Sequence, residues 1–525
     1  MASFVKHPCE VGHAECAPSA TTPGVSSGTW ALVAAVIGSS MSFIDGTAVN
    51  VALPILQRDL AASSASVQWV VEGYSLFLSA LILIGGSLGD LFGRRLIYGG
   101  GIALFALASI GCAFAPTVDF LIFARCVQGI GGALATPGSL ALISANFSGE
   151  ARGRAIGTWS AFSTITSVIG PVLGGWLVQL GSWRWVFIIN VPLAAIVLAI
   201  LLLRVGESRD ESASKRIDVL GVVFATVGLG ALVFGLIRLQ GGTLDPFGAL
   251  AVALGIAALV AFVIAERRQA QPMVRLDLFA SRRFSAANLY TFLLYAALGG
   301  SLYFVPFDLI NVQRYSPAAA GAALLPMIAI MFTLARFSGG LVARIGPRLP
   351  LALGAVLAAG GFTIFAFAGL GHSYWTTFFP GAVVLGFGGA AFVAPLTTTV
   401  MDAVDTSHAG IASGINNAVS RTAGLIAIAA LGIALANDFE ASLARGMRAA
   451  HVAPATLAVV RRERAQIVSG QVPAAVAAGD RETVGRLIRG AYADGFRIAM
   501  LVSALLALLA APIALDRSFR REASS

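Results

Sequence analysis

Asp45 and Arg125 are the residues of this sequence placed to do chemistry. Each stands inside a long apolar run, where an ionisable side chain costs about 2.5–3.5 kcal/mol on insertion scales and is kept for a task. Asp45 is about fourteen residues into the run that starts near Trp30, roughly 20 Å from that end at 1.5 Å per residue. Arg125 is about eight residues into a run of the opposite direction, roughly 18 Å from the same face of a 30 Å apolar core. The two reach similar depths and are expected to pair or to share a water-filled cavity. A carboxylate removed from water holds its proton more tightly, and a guanidinium beside it loosens that hold. A pair whose separation changes with conformation therefore ties proton binding to a conformational cycle. The alternative is a static ion pair that fixes helix packing.

Two further carboxylates are secondary candidates. Glu72 lies near the start of the second run, and Asp308 closes the ninth, followed by Asn311, Gln313 and Arg314. Both are expected near the outer interface, where solvation competes with a coupling role. Arg421 is expected to snorkel or to pair with Asp402. Glycine-rich stretches carry a different signal: Gly129, Gly131, Gly132 and Pro137 in the fourth run, and Gly157, Gly170, Pro171, Gly174 and Gly175 in the fifth. Small residues let helix backbones approach, and Gly-Pro bends a helix. The sequence has no Gly-Lys-Ser/Thr phosphate loop, nucleophile motif or metal cluster, so no catalytic residue, metal site or cofactor is expected. Cys9 and Cys16, with His7 and His13, lie in a polar tail at a spacing that fits no strong ligand pattern. Cys112 and Cys126 read as core filler.

The elements that must position these residues follow from composition. Of 525 residues, 57% are hydrophobic and only 12% charged, at a mean hydropathy of +0.84. Soluble chains carry about 25% charged residues, so lipid must be the solvent for much of this surface. Runs long enough to span start near Trp30, Trp69, Leu96, Phe120, Ile156, Val186, Ile217, Phe247, Phe284, Ala319, Pro350, Thr376, Ala409 and Gly495. They predict an all-α polytopic membrane protein of about fourteen spans at roughly 20 residues each. The net charge of +9 comes from short basic loops. These lack the interleaved aromatics of a nucleic-acid patch, so no nucleic-acid partner is expected.

With the N-terminus in the cytoplasm, Arg94, Arg95, Arg152, Arg154, Arg204, Arg267, Arg268, Arg282 and Arg283 fall on the inner side, as the positive-inside rule requires, and both termini are inside. The loop 402–408 has no Lys or Arg and fits this poorly. The division expected is a disordered cytoplasmic tail (1–29), an N-terminal six-helix bundle (30–203), two extra helices with basic flanks (204–283), a C-terminal six-helix bundle (284–515) and a second cytoplasmic tail (516–525). The C-terminal bundle includes an external segment at about 437–494. With Pro454 and Pro473 as breaks, it reads as a helical hairpin or a surface amphipathic helix. A repeat links the halves: Gly86 to Arg95 and Gly340 to Arg348 both bring Gly and Arg to an inner helix end, as in transporters built from two related halves.

Five stretches together resemble the major facilitator superfamily and, within it, the fourteen-helix drug:proton antiporter family (EmrB/QacA type). They are Phe43 to Pro54 with its Asp45, Gly86 to Arg95 with Asp90, Gly93 and Arg94, Arg125 to Gly132, Gly170 to Gly175, and Trp183 to Pro192. The resemblance runs from about Trp30 to Arg517. It implies two six-helix bundles around a central cavity, with two extra helices between them and a rocking of the halves. Asp45 and Arg125 would be the proton-linked residues, with Gly86, Asp90, Gly93 and Arg94 as an inner-face latch. Gly170, Pro171, Gly174 and Gly175 match the antiporter motif of exporters. The implied activity is proton-coupled export of small amphipathic compounds or drugs across the cell membrane, by a protein whose partners are substrate, protons and lipid and which acts as a monomer. The alternative is export of one endogenous metabolite, such as a siderophore or an amino-acid derivative. Two positions depart from the family. Ala343 and Arg344 stand where a strong second-half copy of the latch has an acid followed by Arg. Asp308 stands where many relatives carry an aromatic or apolar residue.

Overall fold

The computed structural model describes residues 25–209, 218–241, 245–269, 272–371, 373–405, 409–462, 467 and 472–519. The Cys9–Cys16 tail, Lys215, Arg216 and His408 lie outside the described residues, as do the side chains of Ala343 and Arg344. Among the described residues the chain is helical throughout. The helices are α1 (Val25–Asp59), α2 (Ser64–Phe92), α3 (Arg94–Ala113), α4 (Val118–Asn146), α5 (Gly149–Gln179), α6 (Trp185–Ile188), α7 (Asn190–Arg204), α8 (Val219–Arg238) and α9 (Pro246–Arg268). After them come α10 (Arg282–Phe307), α11 (Pro317–Ala322), α12 (Leu325–Ile345), α13 (Arg348–Ala366), α14 (Phe378–Met401), α15 (Ala409–Ala449), α16 (Pro454–Arg462) and α17 (Arg481–Ala514).

Short polar turns start the spans. Ser63, Thr117, Asp218, Asp245 and Ser281 each accept a hydrogen bond from a backbone N–H of the first turn of α2, α4, α8, α9 and α10, which satisfies donors that the helix leaves unpaired. Among the described residues, thirteen helical segments are long and apolar enough to cross a membrane, with α6 and α7 acting as one and α11 continuing into α12 as another. By its 31-residue length α5 is a fourteenth; its first half carries Arg152, Arg154, Thr158 and Ser160, which lower its hydropathy. Exposed Leu202, Leu203, Phe247, Leu254 and Val260 form part of an apolar outer surface suited to lipid, since every backbone polar group is paired within its helix.

α1 packs on α4, α5 and α7, and α2 and α3 pack on α4. In the second half α10 packs on α15 and α17, and α13 on α14 and α17. α8 and α9 form a hairpin that leans on α2 and α15. The two halves join at α5 with α11, α1 with α10, and α2 with α15. Helix direction alternates, so one end of the bundle carries Gly93 and Gly346 (the arginine end) and the other carries α16 (the cap end).

The repeat noted in the sequence is a repeat of geometry. Gly93 (φ 118°) joins α2 to α3, and Gly346 (φ 77°) joins α12 to α13; a positive φ is a conformation glycine reaches without a Cβ penalty. Two residues after each glycine an arginine binds the last helix of its own half. Arg95 donates to the Val205 carbonyl at 2.9 Å, at the end of α7. Arg348 donates to the Leu515 carbonyl, at the end of α17. A cation on a helix C-terminus also complements the helix dipole. Beside it Arg282 pairs with Asp516 at 2.7 Å. The Ser518 N–H and then Arg282 hold the Asp516 carboxyl down at about 2.

The segment expected at about 437–494 is a continuation of two spans. α15 and α17 extend past the bundle and close with α16 on a separate apolar core of Phe439, Leu443, Met447, Val476, Val484 and Ile488.

Candidate functional site

Asp45 on α1 and Arg125 on α4 meet. Arg125 Nη1 donates to Asp45 Oδ2 at 2.6 Å, with Asp45 0% and Arg125 1% exposed. Four helices, α2, α3, α4 and α7, supply the rest of the network. Arg125 Nη1 donates also to Gln128 Oε1 at 2.6 Å, and its Nε to the Val70 carbonyl at 2.9 Å. Gln128 Nε2 donates to Asp45 Oδ1 at 3.0 Å and to Ser109 Oγ at 2.8 Å. Asn190 Nδ2 reaches Asp45 Oδ1 and Ser109 Oγ, both at 3.3 Å. The Tyr74 ring lies under the guanidinium at 4.2 Å, a cation–π contact. The charges are thus paired and hydrogen-bonded on every side, which a buried pair requires.

Both acidic oxygens have donors, and water has no path to Asp45 in this conformation. Proton exchange therefore requires α1 and α4 to part. Arg125→Leu leaves a buried carboxylate without its cation and is expected to cost about 3–5 kcal/mol. Adding Asp45→Asn to that variant is expected to restore part of the loss, because no unpaired charge remains. Thermal denaturation of both single variants and the double variant in detergent measures this coupling. Strictly additive losses would show that the two side chains do not stabilise each other.

Gln128, Asn190, Ser109 and Tyr74 were not singled out from the sequence. The signals were present: Gln128 is one turn from Arg125, and Asn190 is a buried amide inside an apolar span. Phe43, Asn50 and Trp159 are partly exposed, and Trp159 Nε1 donates to Ser39 Oγ at 2.9 Å, tying α5 to α1.

Asp90 and Arg94 pair at 2.8 Å within one turn across the α2–α3 junction. A residue absent from the sequence reading, Glu207, completes this corner. Its carboxylate accepts the Arg95 and Leu96 N–H groups at 2.9 and 3.1 Å, capping the positive end of α3. It also fills the space a Cβ at Gly93 would take, 2.7 Å away. Gly86 has open space beyond Pro137.

The glycines of α5 divide between two partners. A Cβ at Gly174 would stand 2.6 Å from the Ala48 carbonyl oxygen on α1. Gly175 faces the other half: a Cβ there would stand 2.8 Å from the Pro317 carbonyl carbon of α11, and one at Gly321 of α11 as close to the Pro171 carbonyl carbon in return. Gly170 abuts Thr47 of α1. With the hydrogen bond from Arg58 to Asn311, the Gly175 and Gly321 contacts shut the halves together at the cap end.

The two secondary candidates are deeply buried, unlike the solvated interface positions expected of them. α2 begins at Ser64, ahead of the expected start near Trp69, so Glu72 lies about two turns inside the helix and is 0% exposed. Among the described residues, neither of its carboxylate oxygens has a hydrogen-bond partner. Asp308 does not end its span; α10 continues as a π-helical turn over Asp308–Val312. Asp308 is 3% exposed and accepts from Gln313 Nε2 at 3.2 Å. Arg421 donates to Asn417 at 3.1 Å on its own helix, and Asp402 is exposed at the end of α14.

Comparison with known proteins follows this geometry. Residues 35–428 match the family model of the Major Facilitator Superfamily. Multidrug resistance protein Stp of Mycobacterium tuberculosis is 37% identical over 78% of this chain and 76% of its own length. Tetracenomycin C resistance and export protein of Streptomyces glaucescens is 34% identical over 96% of this chain and 94% of its own. Methylenomycin A resistance protein of Bacillus subtilis is 34% identical over 78% and 88%. Among solved structures, an inward-facing, unoccupied bacterial homolog of the human lysosomal transporter Spinster superposes with a TM-score of 0.64 at 18% identity, over 94% of this chain and 98% of that one. At that identity the likeness concerns the fold alone.

Proposed function

The chain belongs to the Major Facilitator Superfamily, and from that premise we propose that it exports drug-like amphipathic compounds in exchange for protons. The relatives named for resistance and export support the first part. One observation carries the second: a fully buried Asp45–Arg125 pair on α1 and α4 that must open to exchange a proton. Substrate and proton alternate because the conformation that admits one closes the other. Residues 30–203 and 284–515 are the two rocking units, with 204–283 as the inserted pair, and the arginine end faces the cytoplasm of a cell membrane. The Asp90–Arg94–Glu207 corner at that end holds one state, and the Gly175 and Gly321 contacts hold the cap end shut.

A second reading has its own observation. Several relatives are named for one antibiotic each, so a single natural compound fits as well as a range. The test is proton release on substrate addition to purified protein in weakly buffered detergent, with a panel of lipophilic cations and neutral antibiotics. Release by several unrelated compounds is the expected result. Release by one compound only would favour the second reading, and release by none would sink the multidrug one.

A further inference from the structure

Arg421 takes no part in the proposed proton path, and its charge has no counter-charge in the fold. It stands on α15 about twelve residues from Ala409, roughly 18 Å into the span at 1.5 Å per residue. Its Nε donates to Asn417 Oδ1 at 3.1 Å on the same helix. Among the described residues, neither of its Nη groups has an acceptor, and no carboxylate lies within electrostatic reach of it.

The side chain faces the seam between the halves. Gly414 lies about two turns earlier on the same face of α15, and a Cβ there would stand 3.3 Å from Leu83 of α2. Tyr74 of α2 is within electrostatic reach of Arg421, and its ring carries the Arg125 guanidinium at 4.2 Å. Two guanidinium groups, one from each half, thus approach one tyrosine, and of the two Arg125 has a carboxylate. The seam is open at this depth. Gly46, beside Asp45 on α1, is exposed with nothing within 4 Å of a Cβ placed on it, and Asn417 is exposed. Arg421 itself is partly exposed. An ionisable side chain at mid-span faces the bundle interior or a water-filled space, not lipid.

A cation held inside a bundle without a counter-charge is costly. Asn417 fixes the guanidinium by its Nε and leaves the Nη fork free, and that fork matches the paired oxygens of a carboxylate. The protein supplies no such group to Arg421, so a ligand must bring it. We propose that Arg421 determines specificity in the space between the halves, and that it selects compounds carrying one acidic oxygen group, a carboxylate or an ionised phenol, over neutral and cationic ones. Calling these compounds substrates rests on the exporter reading; their binding does not.

The probes share one ring system and differ in charge: anthracene-9-carboxylate, its methyl ester and 9-(aminomethyl)anthracene. Binding is measured at neutral pH by equilibrium dialysis against the full-length chain in an uncharged detergent. Wild type is expected to bind the carboxylate at least tenfold more tightly than the ester or the amine. Arg421→Gln is expected to weaken the carboxylate at least tenfold and to change the ester less than twofold. Asn417→Asp keeps the arginine but gives it a counter-ion one turn away. It is expected to weaken the carboxylate as much, and it serves if the Gln variant does not fold. Equal binding of the three probes by wild type would overturn the proposal, as would unchanged carboxylate affinity in Arg421→Gln and Asn417→Asp. An anionic phospholipid that co-purifies with wild type and that the carboxylate does not displace, detected by native mass spectrometry, would assign Arg421 to lipid and overturn it equally. Proton release by the compound panel scores the exporter reading separately. Release with no effect of Arg421→Gln on carboxylate binding fails this proposal alone, and Arg421-dependent carboxylate binding with no release by any compound fails the exporter reading alone.

Discussion

Asp45→Asn is expected to abolish substrate-induced proton release and to leave only passive equilibration of substrate in reconstituted vesicles. The amide keeps the shape of the side chain and retains an acceptor for Gln128 and Asn190, which donate to Oδ1 at 3.0 and 3.3 Å. It loses the ability to bind and release a proton. One proton crossing about 100 mV yields about 2.3 kcal/mol, enough for a roughly fiftyfold gradient of a neutral solute. Without coupling, that ratio falls to about one. The measurement is uptake of a fluorescent substrate into inverted vesicles with an imposed proton gradient, alongside proton release in detergent. A variant that still concentrates substrate would remove Asp45 from the coupling path and leave Glu72 and Asp308, both buried carboxylates, as the groups to test next. Size exclusion must show a monodisperse protein, because the amide leaves Arg125 with Gln128, the Val70 carbonyl and the Tyr74 and Phe187 rings but without its counter-charge.

Gly175→Leu is the second large effect. No rotamer removes the clash, because the Pro317 carbonyl carbon and Ala318 Cα lie 2.8 and 3.0 Å from the new Cβ, and both belong to backbone of the opposite half. The halves can only separate at the cap end. Packed helices switch between discrete arrangements and do not stretch, so the conformation closed at that end loses population. Export is expected to fall at least tenfold. A cysteine at Ala318, in a background without the four native cysteines, is expected to react several-fold faster with a membrane-impermeant maleimide. Gly157→Ala on the same helix adds a methyl group where nothing lies within 4 Å, and its export is expected to stay within twofold of wild type. Equal labelling in the Gly175 variant and its parent would show that α5 and α11 do not form the cap-end gate.

Much of this protein was legible in the order of its residues. Span number and helical class follow from apolar run length, because lipid forces every backbone donor and acceptor into its own helix. The meeting of Asp45 and Arg125 was legible for the same reason: helices crossing one slab have a fixed rise, so position along the run becomes depth. The recurrence of Gly and Arg at two helix ends announced the repeat.

Tertiary structure alone decided what surrounds these groups. Gln128 and Asn190 reach Asp45 from two helices and Ser109 accepts from both on a third, and nothing in a linear pattern states which faces of separate helices converge. Glu207 caps α3 across more than a hundred residues. Glu72 and Asp308 read as interface residues because run boundaries are soft; capping at Ser63 and a π-turn after Phe307 draw both into the interior. The segment at about 437–494 read as a helical hairpin or a surface amphipathic helix; that its helices are the ends of α15 and α17, packed on Phe439, Leu443 and Val484, was set by tertiary contact. Depth is a property of one helix in a slab and is written in sequence. Azimuth, the direction each residue faces around its helix, is set by packing against neighbours, and the sites depend on it.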